Sequence, residues 1–193
     1  RNNSFGDVDA ALGAFSIIDG TVSYDDAQAG QSHALTAVNI SVSLPALTQA
    51  VNAKGDMIAD GTPMDIALML DTPDGFMSGR AAPFTLAVNS EVAIVSVKGE
   101  FSQSEALAFT ASVSADVPSV QALKAVAGQD IPYSQLADSL SFNGHISFGP
   151  QGFAVRKSDL TLKGPQVNVV YTGDFSTVSG AVFSGNLNAS VSD

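Results

Sequence analysis

Alternation governs this chain. In LTAVNISVSL (35–44), Val38, Ile40, Val42 and Leu44 fall on one side, and Asn39, Ser41 and Ser43 on the other. The same rhythm runs through MDIALMLD (64–71), where only Met69 breaks it, and through FTLAVN (84–89) and LAFTASVSA (107–115). It returns in Leu140, Phe142, Ile146 and Phe148, and in Val167, Val169 and Tyr171. A period of two marks a half-buried strand, because successive side chains leave the backbone on opposite faces. Turn dipeptides separate the runs: Asp60-Gly61, Asp74-Gly75, Gly149-Pro150 and Gly164-Pro165. Pro63 and Pro83 stand just ahead of strands, where a missing N–H costs least. The pattern predicts eight to eleven antiparallel strands.

A glycine motif recurs within these runs. VKGEFS (97–102) has near-copies in YTGDFS (171–176) and NAKGDM (52–57), with weaker echoes in IDGTVS (18–23) and NGHISF (143–148). Gly20, Gly55, Gly99, Gly144 and Gly173 are therefore expected inside strands or at their ends, at least two of them at a bulge or bend. The residue after each glycine should point to water and the next one inward. Bends repeated at comparable places curve a sheet, and a sheet curved without closing is a trough.

Helix is scarce. PSVQALKAVA (118–127) is the best candidate, with Asp116 ahead of it, Pro118 in its first turn and Gly128 just past its end. Val120, Leu123 and Val126 or Ala127 make a short apolar stripe. Shorter helical turns are expected around 133–138 and 45–50. The fold class is thus mainly β, with one or two short helices.

Composition narrows the function. Hydrophobic residues are 45% of the chain, but aromatics are 7% and Trp is absent, so any core is light. Charged residues are 14%, against about 25% in an average globular protein. Nineteen acids against eight bases give a net charge of −11, which argues against nucleic acid and against electrostatic docking to an anionic leaflet. Without cysteine there is no disulfide and no thiolate metal site. No apolar run approaches the ~18 residues of a membrane-spanning helix. Residues 1–193 read as a single β-rich segment, expected to be cut from a longer protein.

Little here speaks for catalysis. No G-x-S-x-G, P-loop, H-E-x-x-H or G-x-G-x-x-G is present. His33 and His145 occupy polar strand positions and read as surface histidines. Asp7, Asp9, Asp25 and Asp26 lack the twelve-residue loop ending in Glu that calcium binding would require, and read as solvated turn acids. The sequons at Asn39 and Asn188 read as outward polar positions. No catalytic residue, metal or cofactor is expected.

The ordered elements resemble the AsmA-like family of Gram-negative bacteria. The resemblance opens with IIDGTVSYDDA (17–27) and LTAVNISVSLPAL (35–47) and continues through LMLDTPDGFMSGRAAPFTLAV (68–88). SVSADVPSVQALKAVAG (112–128) is similar to the short helix that interrupts the family's sheet, and LSFNGHISFGPQGFAVRKSDLTLKG (140–164) to the hairpin that follows. It implies a long antiparallel sheet folded like a taco, with an apolar concave surface. It further implies a periplasmic segment of a parent anchored in the inner membrane. Such a parent would pass phospholipid toward the outer membrane and affect outer-membrane assembly.

The apolar faces carry the functional choice. Leu107, Phe109, Val113, Leu140, Phe142, Ile146 and Phe148 are expected to share one interior, with Ser112, Ser114, Ser141, Asn143 and His145 pointing away. Periodicity alone favours a closed core, as in a structural or adhesive β-module of the cell envelope. The resemblance favours a groove in which those seven residues meet phospholipid acyl chains. Strand-like ends lead us to expect edge-to-edge self-association.

Overall fold

The alternating runs fold as strands, and their order in the chain is also their order in space. In the computed structural model, which describes residues 13–26, 31–103, 107–127, 136–178 and 180–191, the strands form one sheet. They are β1 (Gly13–Asp26), β2 (Gln31–Leu44), β3 (Val51–Ala59), β4 (Thr62–Leu70), β5 (Ala82–Ser90), β6 (Ile94–Gln103), β7 (Leu107–Val117), β8 (Ser139–Gly149), β9 (Gly152–Lys163), β10 (Val167–Ser176) and β11 (Val182–Val191). Each pairs antiparallel with the next, and β1 does not pair with β11. The result is an open, strongly curved, taco-like trough.

Two short helices interrupt the meander, α1 (Pro73–Met77) and α2 (Val120–Ala127). α1 forms where Asp74-Gly75 suggested a simple turn. Pro73 takes its first turn, and Arg80 pairs with Asp74 at 2.8 Å just past its end. α2 begins two residues later than the sequence suggested. The hydroxyl of Ser119 accepts the Ala122 N–H at 3.1 Å, so Ser119 is the cap and Pro118 precedes the helix. Residues 45–50 make a turn, closed by Gln49 N–H to the Ala46 carbonyl at 3.1 Å, and not a helix. Gly128 and residues 133–135 lie outside the described residues.

Turn chemistry fixes the β3–β4 hairpin. Asp60 and Gly61 both have positive φ, 46° and 85°, which is the two-residue turn whose twist matches that of antiparallel strands.

All five motif glycines lie within strands, and Gly20, Gly144 and Gly173 lie at register irregularities. The bulged residues beside or opposite these irregularities include Asp19, Ala37 and Lys157, each non-glycine with φ near 50°. Side chains hold them there. Asn39 Oδ1 accepts the Asp19 N–H at 3.0 Å, while Asn39 Nδ2 donates to the Ala37 carbonyl at 3.0 Å and to Asp56 Oδ2 at 3.1 Å. On the far side of the sheet, Asp174 Oδ1 accepts the Lys157 N–H at 2.7 Å, and the Ser158 hydroxyl donates to the Gly173 carbonyl at 2.7 Å. The acids of KGDM and TGDF therefore do more than face water: each accepts a hydrogen bond from a bulged neighbour strand. Those bulges bend the sheet where it curls.

Candidate functional site

Register puts one apolar row along the whole inner face. Reading across β1 to β8, Ile17 stands opposite Ile40, Ile40 opposite Gly55, Gly55 opposite Ile66 and Ile66 opposite Val88. Val88 then meets Val95, Val95 meets Ala115, and Ala115 meets Phe142. On the central strands these residues are half-buried and their sequence neighbours are exposed, as on β6, where Val95 and Val97 are half-buried and Ser96 and Lys98 exposed.

The sheet stays open, and among the described residues the appreciable backbone approaches beyond adjacent strands are those of α1 to β5 and β6. Among the described residues no large side chain is fully buried, and the buried apolar residues are mostly Ala and Val, with Phe84 the one aromatic. The accessible surface is 12453 Å², against roughly 8,600 Å² for a compact monomer of this mass. The closed core that periodicity alone favoured is not the arrangement found.

The face is uneven along its length. A groove of about 920 Å³ crosses β1–β6, where the row Phe15, Val42, Ala53, Leu68, Leu86 and Val97 runs between two rows of the opposite face that also line it, among them Ser16, Ser41, Lys54, Ser96 and Lys98. Further along, phenylalanine fills the rim. Phe101 stacks on Phe84 with ring centroids 4.2 Å apart and meets Phe76 and Phe109 edge-on, each at 6.2 Å. Phe109 stacks on Phe148 at 5.9 Å, and Phe148 is the cross-strand partner of Phe153. Phe153 meets Phe175 at 6.2 Å, and Phe175 meets Phe183 at 4.6 Å. Eight of the eleven phenylalanines thus gather along one edge of the trough.

Of the residues singled out from sequence, Phe109, Val113, Leu140, Phe142, Ile146 and Phe148 share this inner face. Leu107 pairs with Gln103 at the start of β7, and its side chain lies outside the described residues. Ser112, Ser114, Asn143 and His145 are exposed on the opposite face, and Ser141 is half-buried there. The open groove lies elsewhere, on β1–β6. The alternation of β2, β4 and β5 was visible, but which stretch stays empty depends on side-chain size. Within the groove Ala53 and Val97 are small, where β7 and β8 carry Phe109, Phe142 and Phe148.

Polar chemistry along the trough is sparse. Asp60 accepts the Ala34 N–H and the His33 Nδ1 hydrogen bond, each at 2.7 Å. The backbone donor, followed by His33, holds its carboxyl below the usual range. Asp25 is exposed, the side chain of Asp26 lies outside the described residues, as do Asp7 and Asp9, and among the described residues no three His, Asp or Glu come together as metal ligands. Comparison with protein-family models, curated proteins and solved structures finds no match.

Proposed function

We propose that the trough carries phospholipid acyl chains, as the periplasmic part of an AsmA-like protein whose parent is anchored in the inner membrane. Transfer toward the outer membrane would serve outer-membrane assembly. The observation that carries this reading is an apolar face, continuous through neighbouring strands of one open sheet. Burial of a methylene releases ~0.8 kcal/mol, so such a face favours hydrocarbon over water. Ten inter-strand spacings make a path of about 48 Å along the sheet, longer than the ~30 Å hydrocarbon core of a bilayer. Several acyl chains could follow one another along it.

Inside the groove, recognition is by chain and not by headgroup. The net charge of −11 offers no general attraction for anionic lipid. The alternative, a structural or adhesive envelope module, draws on the phenylalanine rim, which packs part of the face against itself. The two readings separate in a displacement assay. A bound fluorescent fatty acid should be released by zwitterionic and anionic detergents of equal chain length, below their critical micelle concentrations. No displacement by either would favour the structural module.

A further inference from the structure

The outward face carries a feature that alternation does not reveal. Lys98 on β6 is the cross-strand partner of Ser112 on β7, Ser112 of His145 on β8, and His145 of Arg156 on β9. Four residues from four successive strands thus form one transverse row, spanning three inter-strand spacings, about 14 Å. All four are exposed, and all line one hollow of about 550 Å³.

We propose that this row binds a phosphate group. Lys98, His145 and Arg156 have no hydrogen-bond or ion-pair partner among the described residues. Their donors are free for a ligand. Arg156 offers a planar fork suited to two phosphate oxygens, and Lys98 a compact charge. Ser112, Thr110 and Ser147 supply hydroxyls to the same hollow, and Glu100 is the single carboxylate lining it. Two fixed positive charges against one negative make the hollow cationic in a chain of net charge −11. The row lies on the face opposite the apolar inner row, and Lys98 also borders the β1–β6 groove.

A phosphate could arrive free or as a phospholipid headgroup, and two arms separate these sources. In the first, inorganic phosphate is titrated into the full chain while backbone and side-chain resonances are followed by NMR. Signals of Lys98, His145 and Arg156 should move together and saturate. The Lys98→Gln/Arg156→Gln double variant, altered only at exposed positions, should bind at least tenfold more weakly. In the second, the chain is floated with phosphatidylcholine vesicles, with and without phosphatidylglycerol. Flotation that the double variant loses assigns the headgroup, and phosphate binding without flotation assigns the free ion. The proposal is overturned if neither arm shows binding. Binding that the double variant retains, or shifts spread equally over Lys54 and Lys124, overturns it as well.

Discussion

Adding one methyl group at Gly99 tests how tightly the sheet is knit. Gly99 pairs in regular register with Ala111. A Cβ built there would fall on the Thr110 carbonyl oxygen and 2.7 Å from Ala111 Cα. Both obstacles are backbone, so no rotamer change relieves the clash, and β7 must shift away from β6. Overpacking costs typically 1–3 kcal/mol, and a backbone obstacle belongs at the upper end, about 3 kcal/mol. Gly149→Ala is the control, because its Cβ would meet only Ala108 Cβ at 3.4 Å, an ordinary contact. That change should be neutral or slightly stabilising, by up to ~1 kcal/mol through the unfolded chain. Urea unfolding followed by circular dichroism measures both. With a slope of about 2 kcal/mol per molar, Gly99→Ala should lower the midpoint by about 1.5 M. Equal midpoints for the two variants would refute the reasoning, since the close approach of β6 and β7 would then have no energetic consequence.

Other perturbations address separate parts of the structure. Asp174→Ala leaves the bulged Lys157 N–H without its acceptor, and urea unfolding should show a loss of ~1–2 kcal/mol. Phe101→Ala removes the centre of the aromatic rim and should cost about 3 kcal/mol by the same measurement. Because the Ala34 N–H and then His33 hold the folded carboxyl of Asp60 below the usual carboxylate range, its contribution is present above that range and is lost as pH falls through the lower folded value. Asp60→Asn, which keeps a residue tolerant of positive φ in the turn, should flatten the acid limb of stability against pH in that window. The unpaired β11 edge carries exposed Phe183, Leu187 and Val191 on the inner face, so sedimentation should show concentration-dependent association that Leu187→Lys suppresses.

The strands were legible because each carries its own alternation. β2, β4, β5 and β7 show it without help from any neighbour, and Asp60-Gly61 specifies its own hairpin. Curvature was legible only in part. The glycines marked where the sheet bends, but the residues that hold the bends, Asn39 and Asp174, act across strands, and their partners follow from register alone. The inward face of β7 and β8 was read correctly because its alternation is unbroken. The groove over β1–β6 was not, since its lining gathers residues of six strands that only register brings together. The Lys98–Arg156 row was invisible for the same reason: no local pattern links residues that only antiparallel pairing brings side by side.

The central claim is that acyl chains lie against the inner row of the sheet. A photoactivatable fatty acid carrying a diazirine in its chain, cross-linked to the full chain and mapped by peptide mass spectrometry, tests it most directly. The label should concentrate on Leu68, Leu86, Val97 and their inner-face neighbours, and Phe142→Asp, checked for folding by circular dichroism, should reduce it. Label concentrated on the outward Ser112 and Ser114, or no label above that of an unrelated protein, would contradict the account.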